Sequence, residues 1–164
     1  MAGRKIELGA TGSAVAKNVT RIRGSRGLNY SALSKLLSGH GREIPPLAVR
    51  RIEEGERRVD VDDLLALAAA LNVSPATLLM PAVTDENLEV EVTASDAPRT
   101  ADEVWDWLTA ARPLADRESE VSEGDQWVVF IHDAWPIWRV RQVYNTTFEE
   151  MQRRPGGRGR DGDG

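Results

Sequence analysis

Four arginines gather around a single glycine in the first third of this chain: Arg50, Arg51, Arg57 and Arg58 flank Gly55. A guanidinium is a permanent cation with planar, forked donors, suited to phosphates and to base edges that offer paired acceptors. Other chemistry is thinly supplied. The chain has no cysteine, which excludes a disulfide framework and a thiolate metal site, and only two histidines, His40 and His132. Asp133 is the immediate neighbour of His132 and cannot orient it as a catalytic partner would. Ser119 and Ser122 lie in an acidic stretch with no strand-to-helix elbow. No glycine-rich cradle follows a strand. These residues argue against an enzyme, and they call for no cofactor and no metal.

The charge is distributed in a telling way. The net charge is −5, yet residues 1–58 hold 12 Lys/Arg against 5 Asp/Glu, a balance of +7. Residues 59–164 hold 9 against 21, a balance of −12. A basic head before an acidic body fits a nucleic-acid-binding unit joined to a second region. A solvated charged face is the bland rival. No apolar run follows Met1, and the longest apolar stretches, Leu64–Leu71 and Trp127–Ile131, fall short of a bilayer span. The expectation is a cytoplasmic protein without a membrane partner.

Short helices are predicted to position the arginines. Ser13 is placed to cap a first helix reaching Gly24, with Val15, Val19 and Ile22 on one face. A second helix covers about Tyr30–Ser38, with Leu33, Leu36 and Leu37 inward, and Gly39-His40-Gly41 breaks it. Pro45-Pro46 starts a third, where the missing N–H has no intrahelical partner to lose. It runs to Glu54 and stops at Gly55, with Val49 and Ile52 inward. Asp60 caps a fourth, Val61–Leu71, whose core side carries Leu64, Leu65, Leu67, Ala68 and Leu71, with Asp62 and Asp63 favoured by the helix dipole. Ser74-Pro75 opens a short fifth that ends near Met80-Pro81.

Several segments, in order, resemble the Xre-like, phage-lambda-repressor-like transcriptional regulators. They are Arg26-Gly27-Leu28, the Leu33…Leu36-Leu37 stripe, Ile52-Glu53-Glu54-Gly55-Glu56-Arg57-Arg58, and the run from Leu64 to Ser74. The resemblance covers roughly residues 13–81. It implies a helix-turn-helix in which the second helix braces on the phosphates and the third enters the major groove N-terminus first. The early exposed positions of the third helix then fall on Pro46 and Leu47, which can touch a thymine methyl or fit the groove. Arg51, one turn later, is placed for bidentate contact with guanine, and Arg50 for a base or a phosphate. Asn29, Tyr30 and Ser31 fall where the family anchors the second helix to the backbone. Arg57 and Arg58 fall where phosphate contact or minor-groove insertion is implied. Each has a rival reading: Arg50 and Arg51 paired with Glu53 and Glu54, Arg57 and Arg58 set against Asp60 and Asp62, Tyr30 packed on Leu33. The segment Ser38–Ile44 makes the turn several residues longer than the family's tight one. It either extends the second helix or forms a loop beside the DNA, with His40 and Arg42 exposed to solvent.

After Pro81 the pattern changes. Leu88–Val92 alternates like a strand, and Thr100-Ala101-Asp102-Glu103 has capping-box form and opens a helix to about Ala111. Asp116–Asp125 reads as an acidic loop, Trp127–Ile131 as a buried strand with a helical turn as the alternative, and Trp135–Glu150 as helix or extended chain. All five tryptophans lie between Trp105 and Trp138. Trp105 and Trp107 cannot share one narrow helical face, whereas Trp135 and Trp138 can. They anchor either a small core or an aromatic interface. Asn145-Thr146-Thr147 matches a glycosylation acceptor by chance in a cytoplasmic chain. The expected fold is mainly α: a five-helix lambda-repressor-like DNA-binding domain followed by a small α+β C-terminal region. The expected segments are a flexible tail at 1–12, the helix-turn-helix domain at 13–82, a dimerisation, effector or interaction region at 83–150, and a disordered tail at 151–164. Expected partners are double-stranded DNA and a second copy in a homodimer, with a protein or small ligand for the C-terminal region. The function this favours is sequence-specific regulation of transcription, as a repressor. The alternative is an antitoxin-like or adaptor module using the acidic half.

Overall fold

The computed structural model describes residues 7–114 and 122–153. The outer parts of both expected tails, 1–6 and 154–164, and the acidic stretch 115–121 lie outside the described residues. The chain divides into two compact units, Met1–Leu114 and Ala115–Gly164.

Five helices open the first unit: α1 (Ala10–Ser25), α2 (Tyr30–Gly39), α3 (Pro46–Glu53), α4 (Val61–Ala70) and α5 (Pro75–Leu79). They enclose one apolar cluster that includes Val19, Leu33, Leu37, Ile52, Leu67 and Leu78. Asp60 and Ser74 act as the caps the sequence predicts, and Asn29 caps α2, a role not predicted for it. Asn29 accepts from the Ala32 N–H at 2.8 Å, Asp60 from Asp63 at 2.7 Å and Ser74 from Thr77 at 3.1 Å. Each meets one helix donor that has no intrahelical acceptor.

The differences from expectation have local causes. α1 begins at Ala10, capped by Gly9, not after Ser13. Its early Thr11 N–H donates to the Thr93 hydroxyl at 3.3 Å, and the Thr93 N–H returns a bond to the Thr11 hydroxyl at 3.0 Å. A residue 82 positions away therefore supports the first turn. Leu36 and Leu65 were expected inward but are 41% and 53% exposed. Each lies at the flank of a ten-residue helix, outside the stripe that its neighbours cover. Asn18 is buried and satisfied: its amide donates to the carbonyls of Leu78 at 3.0 Å and Met80 at 2.7 Å, closing the end of α5 against α1.

Beyond α5 the same unit continues. β1 (Glu89–Val90) pairs antiparallel with β2 (Arg99–Thr100), shorter than the alternation at 88–92 suggests. α6 (Ala101–Leu108) follows with both arms of its capping box formed between Thr100 and Glu103. It ends before Ala111 because Ala110 takes a left-handed conformation, φ +57°. Val90, Val92, Ala101 and Val104 form a second cluster that Met80 joins from the first bundle. Trp105 is 40% exposed, and Trp107 is half-buried.

The second unit holds α7 (Glu123–Ala134) and α8 (Ile137–Arg153). The strand expected at Trp127–Ile131 is part of α7. Ser122 caps that helix by accepting from Asp125 at 3.2 Å, and the run is long enough for a helical repeat to outweigh its β-branched residues. The helix takes in residues 123–125 of the expected acidic loop. Trp135 and Trp138 do not share a helix face, because Trp135 ends α7 and α8 starts at Ile137. The Trp135 ring meets Trp127 edge-on at 6.3 Å. No helix among the described residues is long and apolar enough to cross a membrane.

Candidate nucleic-acid interface

α3 is an eight-residue rod with two unlike sides. Val49 and Ile52 are 0% and 1% exposed and fix it to the core. Pro46, Leu47, Arg50, Arg51 and Glu54 face solvent. Leu47, Arg50, Arg51 and Glu54 recur at i, i+3, i+4 and i+7, so they form one continuous stripe. Leu47 is 57% exposed, which a solvent-facing side chain of that size gains nothing from by itself. Arg50 pairs with Glu54 one turn along at 2.7 Å, and that bond keeps its guanidinium charged above the ordinary arginine range. Arg51, beside it, joins none of the ion pairs among the described residues. It is therefore the stripe's unengaged cation.

α2 begins at Tyr30, after its cap Asn29. Asn29 and Ser31 are exposed there. The Asn29 carbonyl oxygen is taken by the cap, which leaves its amide N–H groups. Tyr30 is half-buried against the core, and the Arg23 guanidinium lies over its ring at 4.3 Å. Arg23 does more than stack. It forms two bonds to Glu53, at 2.5 and 2.8 Å, and donates to the Leu28 carbonyl at 2.6 Å. Glu53 is 4% exposed and Arg23 15%. The hydrogen bond to Glu53 raises the arginine's affinity for its proton. One side chain of α1 thus joins the start of α2 to the end of α3.

The long turn between α2 and α3 is anchored rather than loose. α2 gains one residue, Gly39, and Gly41 then turns the chain at φ +76°, a conformation that disfavours side chains. Ile44 is 1% exposed and belongs to the core, and the Ser34 hydroxyl donates to its carbonyl at 2.7 Å. Arg42, expected in solvent, grips the N-terminus of α4 instead. It donates to Asp63 at 2.6 Å and to Asp60 at 2.7 Å. The Asp63 backbone N–H, helped by Arg42, holds the Asp60 carboxyl below its usual range.

Beyond α3, Gly55 turns at φ +73° and leads to Arg57 and Arg58. Arg57 points inward and donates to Asp63 at 2.7 Å, with its other terminal nitrogen buried and unpartnered. Arg58 is exposed and donates to the Glu7 carbonyl at 3.1 Å. Asp63, 1% exposed, therefore receives one arginine from each side of α3. The sequence shows Asp63 only as a dipole-favoured residue. Nothing in its spacing reveals that Arg42 and Arg57 converge on it, nor that Arg23 and Glu53 meet.

A comparison with protein families matches residues 20–78 to the helix-turn-helix model HTH_3. No curated protein and no solved structure matches the chain.

Proposed function

We infer the working mode of a chain that belongs, through residues 20–78, to the Xre-like, lambda-repressor-like helix-turn-helix family of DNA-binding transcriptional regulators. α3 enters the major groove with its Leu47–Arg50–Arg51–Glu54 stripe toward the bases, while α2 rests its N-terminus on the phosphates. The observation that carries this reading is the two-sided character of α3: Val49 and Ile52 are sealed in the core, and Arg51 stands unengaged on the opposite side.

Arg51 reads guanine, whose two acceptors in the major groove match the guanidinium fork. Leu47 and Pro46 pack on a thymine methyl or the groove wall. Glu54 sets the orientation of Arg50, and Arg50 contacts the base or phosphate beside the Arg51 position. Asn29, Ser31 and Arg58 serve the backbone, and Tyr30 and Arg57 act by holding the elements in place. One head makes few base contacts, so two copies on a dyad-symmetric site are needed for useful selectivity. Residues 13–82 act as the reading domain, and 83–150 as the region that pairs copies or receives a signal. Occluding a promoter needs no further machinery, which favours repression.

Selection of bound sites from random DNA tests this. The full chain should enrich a dyad-symmetric sequence, with a retained fraction that falls steeply as salt rises. Arg51→Ala should lower affinity for that site by roughly 1–3 kcal/mol per head and erase preference at one base position per half-site. Unchanged affinity and unchanged preference would refute the assignment of Arg51.

A further inference from the structure

We propose that the cleft between α1, the turn after α3 and the front of α4 binds a small amphipathic carboxylate, with an aliphatic chain inside and the anionic head on Arg57 and Arg58.

The cleft holds about 450 Å³, within the range of small-molecule sites. Val15 and Ile52, 4% and 1% exposed, form its floor, and Leu8, Leu64 and Leu79 wall it. Val61 also lines it and is 74% exposed. An aliphatic chain laid between these side chains takes apolar surface out of water on both sides of the contact.

The polar groups of the lining select the head. No aromatic ring stands among the described lining residues to stack on a base or a sugar. The Thr11 and Thr93 hydroxyls each accept the other residue's backbone N–H. Asp60 has both oxygens committed, one to the Asp63 N–H and one to Arg42. Two cations remain. Arg57 shares Asp63 with Arg42, and its second terminal nitrogen is the one buried side-chain nitrogen or oxygen without a partner among the described residues. A buried donor in that state costs stability that an acceptor returns. Arg58 donates to a neutral carbonyl, that of Glu7, and joins none of the ion pairs among the described residues. A carboxylate meets such guanidiniums with charge-assisted bonds. Arg57 and Arg58 against Asp60 leave the lining one net positive charge, which a monoanion balances and a dianionic phosphate overshoots.

The cleft meets α3 on its buried side, at Ile52, so a ligand there leaves the Leu47–Arg50–Arg51–Glu54 stripe uncovered. It does engage Arg58, which the DNA-reading function gives to a phosphate. That consequence rests on the functional reading; the site itself does not.

The test is a ligand-observed NMR titration of the full chain without DNA. Octanoate is the probe, with octan-1-ol and octylammonium as controls of equal chain length. Octanoate should bind with a Kd below about 1 mM. Loss of the charge-assisted bonds should make octan-1-ol about tenfold weaker, and octylammonium weaker still. Arg58→Gln, at an exposed position, should weaken octanoate severalfold and leave octan-1-ol unchanged. Gly12 lies on the cleft side of α1, where a Cβ would meet only the flexible Leu8 side chain, at 3.4 Å and beyond. Gly12→Leu therefore fills the cleft without backbone strain and should abolish binding of both, with circular dichroism reporting that the helices persist. No octanoate binding at millimolar concentration overturns the proposal, as does equal affinity for octan-1-ol or octylammonium. So does octanoate affinity unchanged in a folded Gly12→Leu or in Arg58→Gln, and the latter decides the matter if Gly12→Leu loses its fold. Failure to bind DNA would refute the functional reading and leave these titrations unaffected.

Discussion

Replacing Arg23 by methionine keeps the length and apolar stem of the side chain and removes its charge. In the folded protein this strands the Glu53 carboxylate, 4% exposed, without its two guanidinium bonds. It also removes the donor to the Leu28 carbonyl and the cation above Tyr30. Breaking a buried ion pair from one side costs about 3–5 kcal/mol, mostly through the charge left behind. Arg23 retains some solvent contact, so about 3 kcal/mol is the appropriate figure. For a domain of about a hundred residues that corresponds to a drop of about 15 °C in the unfolding midpoint. Adding Glu53→Met to Arg23→Met removes the stranded carboxylate and should recover most of the loss, because apolar packing commonly replaces a buried pair without penalty. Thermal and urea unfolding of the full chain and the three variants measure both effects, with the first transition attributed to the unit ending at Leu114. A single variant within 1 kcal/mol of wild type would refute the reasoning, since the desolvated carboxylate is its whole basis. So would a double variant no more stable than the single.

Two further expectations follow from the capping residues. Asn29→Ala removes the α2 cap and should cost about 1 kcal/mol in urea unfolding; it should also weaken DNA binding evenly across sequences while leaving the salt dependence unchanged, because a neutral amide displaces no counterion. Asp60 has a lowered folded pKa, so its stabilising contribution is complete above the ordinary aspartate value near pH 4 and disappears as pH falls through the lower folded value. Asp60→Asn, which keeps an acceptor for the cap, should flatten the acid limb of stability below about pH 4; a variant whose limb matches wild type would exclude Asp60 from the acid transition.

The five-helix order could be read from the chain because its signals are local. Asp60, Ser74-Pro75 and Gly55 act within one turn of where they sit, and Val49 and Ile52 needed only helical spacing. The side of α3 that faces out followed from the same arithmetic. What could not be read depends on residues far apart in sequence. Arg23 meets Glu53 across 30 positions, Arg42 meets Asp63 across 21, and Thr93 supports Thr11 across 82. Arg42 looked solvent-bound because a glycine-rich turn gives no hint that Ile44 will be buried and draw the chain back onto α4. Trp127–Ile131 misled because five apolar residues fit a strand or a helix equally, and the deciding cap, Ser122, precedes them by five positions.

The shared grip on Asp63 has a mechanical consequence. Arg42 leads into α3 and Arg57 leads out of it, and both close on one carboxylate at the first turn of α4. A rod whose two approaches are moored to a common point feels any displacement of that point at both of its ends. Any event that shifts the front of α4, such as a neighbouring molecule settling there, would therefore be passed to both approaches of the exposed Leu47–Arg50–Arg51–Glu54 stripe.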